Sequence, residues 1–490
     1  MKSRANMAVA LLWLAGCATI QEPLRGSLSA PDAGVAECAR WFQTLDRQID
    51  AAGVRDGGEF RIPGFPYLRT DRFMASFRTS ATEGPARDAW LARLRALDRA
   101  ARNAELRNLP EAAFRALGID RQDVAPRTEF CARTLLSHDR DQPGTATQLA
   151  ERAKVPDDYR TWQRALGLYG LVSVPFSAGV EDWQRDAVEA FRRSAAGEAA
   201  FERSFEYRPQ TAMIREDPET IFTRSQVDAL GIQSFSPEDA ERLFEAYAPV
   251  IEMEAGGSFD EIGRIAWQDG ALPGVQTTAP TVYRKLVHTR YGAETLVQLV
   301  YVAWVSERPH RNVFDLLAGK LDGVVWRVTL DRRGSPLLYD TIHPCGCFHM
   351  FFPVEGVEPR AAPSKWVEWA FAPAPAPRLA SGERIRVRLQ SRTHYMVGIS
   401  ADGGNGGREY VFADYDTLRA LPHANGSRSF FRPDGLIAGT ERGERMFFWP
   451  MGVPSAGAMR QWGHHATAFL GRRHFDDADL IDQRFRLPLQ

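Results

Sequence analysis

The sequence predicts an α+β protein in which a mainly helical N-terminal domain, residues 35–205, precedes an antiparallel β-rich, sandwich-like C-terminal domain, residues 280–425. Three patterns indicate this class. In the first part, apolar residues recur every three or four positions, as in helices that bury one face. In the second part, β-branched and aromatic residues alternate or run continuously, as in strands. Short turns join these strands without helical segments between them, which favours antiparallel pairing.

The helical domain contains two clear helical patterns. Pro85 suits the first turn of one helix, whose buried face would carry Trp90, Leu94, Leu97 and Ala101. A second helix is predicted from about Val180 to Phe205, whereas residues 62–67, with two prolines and a glycine, are predicted to form a rigid loop.

The mixed connecting region, residues 206–279, contains one further helix, with Ser236 as its N-cap and Pro237 as its first residue. The strongest strand patterns of the β-rich domain are 294–305, 325–330 with its hairpin partner 336–342, 385–389 and 394–400. Residues 426–490, rich in aromatic side chains, are predicted to pack over the sheet, with a helix near 456–470.

The N-terminus has the layout of a secretion signal, predicted here as residues 1–16. Lys2 and Arg4 provide a positive start, and the apolar run 7–14 is shorter than the roughly 20 residues that a membrane-spanning helix needs. Residues 14–17, Leu-Ala-Gly-Cys, close the signal.

These four closing residues resemble the lipobox of bacterial lipoproteins. The resemblance implies that the chain is cut before Cys17, that Cys17 is acylated (palmitate-type chains), and that residues 17–34 form a lipidated tether. Two or three acyl chains anchor a protein stably. Ala18, in place of an aspartate, implies sorting to the outer membrane, so the expected location is the cell envelope and the expected partner a membrane. Beyond this motif the chain resembles uncharacterised envelope lipoproteins of Gram-negative bacteria.

Composition excludes some partners and leaves the question of catalysis open. A net charge of −1 gives no electrostatic footprint for nucleic acid. The sequence has no Gly-x-Ser-x-Gly elbow, no His-Glu-x-x-His motif and no phosphate-binding glycine loop, which argues against common serine hydrolases, zinc peptidases and nucleotide enzymes. Catalytic residues therefore stay unassigned.

Five cysteines divide into an anchor and two pairs. Cys38 and Cys131 are a candidate disulfide, because the envelope outside the cytoplasm is oxidising. The second pair lies in the densest cluster of reactive residues, whose candidate ligands are His343, Cys345, Cys347 and His349. Thiolate and imidazole suit zinc or copper, and His465 is a weaker candidate ligand.

Three interpretations of this cluster stay open. A single metal ion needs the chain to bend, because four alternate strand residues span about 20 Å. A Cys345–Cys347 disulfide would be strained and therefore redox-active. The third interpretation is a structural role. The first functional hypothesis is a binding or structural envelope lipoprotein with a metal or redox element at 343–349, whose protein or other ligand is not identified. The alternative is an envelope enzyme, either a metal-dependent hydrolase or a thiol-redox protein.

Overall fold

The computed structural model describes residues 21–210, 216–268, 272–312, 314–424 and 426–488. About 35% of the chain is helix and 26% is strand, arranged as a helical N-terminal region and a large curled sheet, so the predicted α+β class is confirmed. The signal segment 1–16 and Cys17 lie outside the described residues, and the lipid anchor stays a prediction. No helix in the described ranges combines the length and apolar character needed to cross a membrane.

The helices are α1 Leu24–Leu28, α2 Ala33–Ala51, α3 Arg72–Ala75, α4 Gly84–Asn108, α5 Glu111–Leu117, α6 Arg121–Arg140, α7 Thr145–Arg152, α8 Thr161–Leu166, α9 Tyr169–Ala195, α10 Pro218–Arg224, α11 Pro237–Ala246, α12 Arg445–Phe448 and α13 Leu480–Arg484. Short 3-10 helices cover Ser258–Asp260, Tyr415–Ala420 and Trp449–Met451.

The strands are β1 Phe60–Ile62, β2 Phe65–Thr70, β3 Ser204–Pro209, β4 Gln226–Val227, β5 Gln233–Ser234, β6 Val250–Glu254, β7 Arg264–Gln268, β8 Leu272–Gln276, β9 Thr281–Tyr291, β10 Glu294–Arg308, β11 Gly319–Leu330, β12 Pro336–Ile342, β13 Met350–Pro353, β14 Glu358–Pro359, β15 Arg384–Leu389, β16 Met396–Asp402, β17 Arg408–Asp414, β18 Leu421–His423, β19 Gly426–Arg428 and β20 Phe485–Arg486.

Helices α2, α4 and α6 enclose the core of the helical domain. Asp32 caps α2 by accepting a hydrogen bond from the backbone N–H of Gly34 at 2.8 Å. The predicted face of α4 is buried at Trp90, Leu94 and Ala101. The predicted rigid loop at 62–67 is wrong: β1 and β2 form a hairpin there, because Gly64, at φ +86°, lets the chain turn directly between them.

A disulfide joins Cys38 on α2 to Cys131 on α6, with Cα atoms 4.8 Å apart, the pairing proposed from the sequence. We expect replacement of both cysteines by alanine to lower the free energy of unfolding by about 2–5 kcal/mol, because the bond closes a long loop that the unfolded chain otherwise explores. Chemical denaturation of the double variant and the oxidised wild type measures this. Equal stability of the two proteins would contradict it.

The β-rich part is a ten-stranded sheet that curls, with strand order β13-β12-β11-β10-β9-β17-β3-β6-β15-β16. Most neighbours are antiparallel, but β17 runs parallel to both β9 and β3, and β15 runs parallel to β6. The continuous apolar pattern of β10 is explained by burial on both faces of the sheet. The predicted hairpin of β11 and β12 is present, and Ser236 caps α11 through the N–H of Asp239.

Helix α9 lies across the two edges of the curled sheet. It packs against β16 at one edge, and its Trp183 and Phe191 rings reach Phe348 and Phe352 near β13 at the other. The predicted helix from Val180 to Phe205 is therefore misplaced at both ends. The helix stops at Ala195 because Gly197 turns the chain at φ +74°, and Phe205 belongs to β3.

The C-terminal segment packs over the sheet, but the predicted helix at 456–470 is wrong. The structure assigns no helix to these residues. Gly457, Gly463 and Gly471 adopt φ values of +82°, +94° and +90°, which interrupt helical geometry in spite of the apolar spacing. His464 and His465 therefore lie on irregular chain.

Candidate functional site

The loop from His343 to His349 is a tight turn between β12 and β13. The N–H of His343 donates to the carbonyl of Cys347 at 3.0 Å, and the N–H of Gly346 donates to the carbonyl of His343 at 2.8 Å. Gly346 has φ +92°, and a Cβ atom there would lie 2.5 Å from the Ala466 carbonyl oxygen. The turn therefore requires glycine, and it presses the loop against the C-terminal segment.

The structure does not bring the four predicted metal ligands together. Across the described ranges, no group of three or more His, Cys, Asp or Glu side chains is arranged to hold a metal ion. The histidines turn to different carboxylates: His343 Nδ1 lies 3.2 Å from Asp322, and His349 Nε2 lies 2.9 Å from Asp340. His465 is also separate, since its buried ring packs near Phe475. The predicted zinc or copper site gains no support from this arrangement.

The two thiols do lie together. Both are free: Cys345 is buried and Cys347 is half-buried. The N–H of Cys347 donates to Cys345 Sγ at 3.4 Å. A hydrogen bond between the two side chains, together with burial, raises the pKa of the Cys347 thiol well above its usual value. Cys347 is therefore protonated at neutral pH, and the two side chains form a dithiol.

Behind the loop, a buried chain of hydrogen bonds runs Asp260–His394–Asp322–His343. His394 Nε2 lies 3.3 Å from Asp260, and its Nδ1 lies 3.1 Å from Asp322. Asp322 also faces Arg442 at 3.6 Å. The four chain members come from four separate places in the sequence, so the fold alone assembles them.

The pKa values of the two histidines in this chain are shifted in opposite directions. Burial alone would lower the pKa of His394, but hydrogen bonds to Asp260 and Asp322 outweigh it and raise the pKa above its usual value. Burial lowers the pKa of His343, and Asp322 offsets this only in part. His343 is therefore neutral at pH 7. Its Nδ1–H donates to Asp322, which leaves Nε2 as the basic nitrogen.

A cavity of about 490 Å³ lies between α9, the 343–349 loop and the C-terminal segment. Its walls are mainly apolar, and the aromatic side chains among them include Phe176, Trp183, Phe348, Trp369, Phe371, Phe448 and Phe469. The rings pack on one another: Phe176 lies 5.0 Å from Phe448, and Trp183 lies 5.2 Å from Phe371. This size and lining are typical of small-molecule sites.

Polar groups enter the cavity beside the dithiol. Cys347, Glu444 and Tyr395 all line it. Burial raises the pKa of Glu444 to about 7, and the positive charges of Arg442 and Arg308 offset this only in part. The Tyr395 hydroxyl accepts a hydrogen bond from Arg308 at 3.3 Å. A carboxyl poised near neutrality beside a thiol is suited to proton transfer.

Another wall of the cavity carries His349, Glu368 and Arg473. Burial lowers the pKa of His349 to about 3, so its ring is neutral and its Nε2–H donates to Asp340. Its buried Nδ1 has no hydrogen-bond partner among the described residues. Glu368 accepts hydrogen bonds from the N–H groups of Phe469 and Leu470, and burial raises its pKa. His349 therefore supplies an unused acceptor.

Sequence reasoning found the 343–349 loop but missed most of what surrounds it. Asp322, His394 and Glu444 belong to no local motif, and only the position of Asp322 within an apolar strand sequence could have marked it. The cavity depends on α9, and the apolar sequence in the first half of this helix indicates a buried helix face but not a cavity. No protein-family model, curated protein or solved structure matches this chain.

Proposed function

We propose that this chain is a binding protein for an apolar small molecule with one polar end, held in the cavity beside Cys347 and Glu444. The observation that carries the proposal is the cavity itself, about 490 Å³ with aromatic walls and a few polar groups. Buried apolar surface would supply most of the affinity, at roughly 25 cal/mol per Å² before the costs of association.

The protonation states favour a ligand whose polar end is uncharged. Cys347 is protonated, His349 is neutral and Glu444 is about half protonated near pH 7, because burial disfavours charge at each of them. A hydroxyl or amide N–H of the ligand could donate to the free Nδ1 of His349. A fixed anion beside Glu444 would be repelled once that carboxyl is ionised.

Two glycines on α9 provide a matched test. Cβ atoms built at Gly179 and Gly170 meet nothing within 4 Å, but only Gly179 lines the cavity. We expect Gly179→Phe to weaken binding of the uncharged probe N-phenyl-1-naphthylamine by about tenfold or more, which corresponds to ~1.4 kcal/mol of binding free energy. Gly170→Phe should leave the affinity for the probe unchanged. Fluorescence titration measures this, and thermal melts verify folding. Equal affinity in all three proteins would contradict the proposal.

Thiol–disulfide exchange is a second candidate function, favoured by the contact of the two thiols beside Glu444. Cys347 would lose its proton to Glu444 and attack a disulfide R–S–S–R′, forming Cys347–S–S–R and releasing R′–SH once protonated. Cys345 would then attack the Cys347 sulfur, releasing R–SH and leaving a Cys345–Cys347 disulfide. The protein is oxidised by two electrons and the substrate is reduced by two.

Mass spectrometry after incubation with oxidised glutathione tests this candidate. We expect wild type to lose two hydrogen atoms, and Cys345→Ala to accumulate a mixed disulfide at Cys347. Cys347→Ala should form neither product. Two free thiols in wild type after prolonged incubation would exclude the exchange while leaving the binding proposal intact.

We also propose that the chain is an envelope lipoprotein anchored in the outer membrane through Cys17. The signal pattern and the lipobox resemblance support this. Intact-mass measurement of protein extracted from the envelope tests it: we expect a chain that begins at Cys17 and carries acyl chains, and Cys17→Ser should remain unacylated. An unmodified N-terminus in wild type would contradict the anchor.

A further inference from the structure

More than half of the large exposed hydrophobic side chains in the described residues lie on two neighbouring segments, 161–195 and 445–451. We call the following six side chains the apolar rim: Trp162, Leu166, Leu171, Val174, Met446 and Phe447. Each is more than half exposed, and Leu171 reaches 72%. Soluble proteins rarely gather large apolar side chains at one place unless something covers them.

The two segments form one surface. The N–H of Arg160, just before α8, donates to the carbonyl of Gly452 at 2.8 Å, and Arg164 Nε donates to the carbonyl of Met451 at 2.8 Å. The same surface borders the cavity, since Phe176 on α9 meets Phe448 on α12 at 5.0 Å and both rings line the cavity wall. The apolar rim therefore lies on the two segments that contribute Phe176 and Phe448 to the cavity wall.

The two stretches that carry the apolar rim are basic. Residues 159–180 and 445–460 contain four arginines and no aspartate or glutamate, in a chain whose acidic and basic residues otherwise nearly balance. Arg160 and Arg445 are exposed beside the apolar rim. The first half of α9, from Tyr169 to Val180, has no charged residue. Exposed Trp, Phe and Leu with arginine as the only charge are typical of helices that lie in a membrane interface.

We propose that the apolar rim docks on an anionic lipid bilayer, so that the cavity opens toward the membrane and takes its apolar ligand from there. The apolar side chains enter the headgroup region, and Arg160 and Arg445 pair with lipid phosphates. The source of the ligand rests on the proposed binding function, but the docking itself does not.

The expected lipid anchor is compatible with this orientation. Only a few residues separate Cys17 from Glu22, whose carbonyl accepts a hydrogen bond from Arg152. The chain from Arg152 to the start of α8 at Thr161 spans at most about 30 Å. An anchor on Cys17 and the apolar rim can therefore meet the same bilayer.

Vesicle flotation of the full-length chain carrying Cys17→Ser tests the docking without any acyl chain. We expect binding to phosphatidylglycerol–phosphatidylcholine vesicles that weakens on phosphatidylcholine alone and in high salt. Leu171→Glu with Phe447→Glu should reduce the bound fraction by about tenfold or more, because two large apolar side chains no longer leave water. The control, Phe130→Glu with Val227→Glu, changes side chains of 59% and 60% exposure elsewhere.

Three results would overturn the docking: a Cys17→Ser protein that does not bind vesicles, equal loss of binding in both double variants, or light scattering that shows the apolar rim covered by a second copy instead. Ligand binding in the cavity is measured separately. Gly179→Phe should still float with vesicles but should no longer bind the naphthylamine probe. The double variant Leu171→Glu with Phe447→Glu should still bind the probe when vesicles are absent. Loss of docking and loss of ligand binding are therefore distinguishable.

Discussion

Replacement of Asp322 by alanine is expected to lower the free energy of unfolding by about 3–5 kcal/mol. Asp322 is fully buried and accepts hydrogen bonds from His343, His394 and the N–H of Gly323. Burial alone would raise its pKa, but Arg442 and His343 outweigh this and hold the pKa well below its usual value. The substitution therefore leaves the buried guanidinium of Arg442 without this carboxylate, and it removes the hydrogen-bond acceptor of His343 and of His394 Nδ1.

Urea denaturation of Asp322→Ala at pH 7 measures the loss. Asp182→Ala is the control, because its side chain is 64% exposed and pairs with Arg185 on the same helix; we expect a change within about 0.5 kcal/mol there. Similar stability of the two variants would mean that the Asp260–His394–Asp322–His343 chain contributes little to the fold.

Replacement of Glu444 by glutamine is expected to stabilise the protein at pH 8 and not at pH 4. The pKa of Glu444 is about 7 in the folded chain and about 4.5 in an unfolded one. The folded state therefore holds a proton that the unfolded state releases, and stability falls as pH rises from 4.5 to 7. Glutamine keeps the shape without the charge, so the gain above pH 7 is about 3 kcal/mol as an upper figure.

Thermal or urea unfolding of wild type and Glu444→Gln between pH 4 and 8.5 measures the difference. Glu441→Gln serves as the control, since this half-buried neighbour pairs with Arg432. We expect the two curves of Glu444→Gln and wild type to meet at low pH and to separate through the window from 4.5 to 7. A constant offset across the whole range would show that Glu444 does not hold a proton near neutrality.

Local periodicity explains which parts of the fold were predictable. The apolar sequence of β10 and the alternation in β11 and β12 report burial within the segment itself, and these strands are where the sequence places them. The Ser236–Pro237 start of α11 is likewise local chemistry. The helix predicted at 456–470 failed because backbone turns at Gly457 and Gly463 override side-chain spacing.

The candidate site shows the same division between local and distant information. The 343–349 loop is recognisable from its composition, and the sequence led us to predict a metal site there. Only the fold shows that His343 and His349 form hydrogen bonds with different aspartates. The partners that set the protonation of the site, Asp322 and Glu444, lie far away in the sequence. Periodicity has no means to report such long-range contacts.

The most direct test of the account is to identify what the cavity holds in protein purified from its own envelope. Organic extraction followed by mass spectrometry should yield a near-stoichiometric apolar molecule with a polar end from wild type and Gly170→Phe, and little from Gly179→Phe. Equal recovery from all three proteins, or recovery of only polar compounds, would contradict the claim that this cavity is an apolar-ligand site.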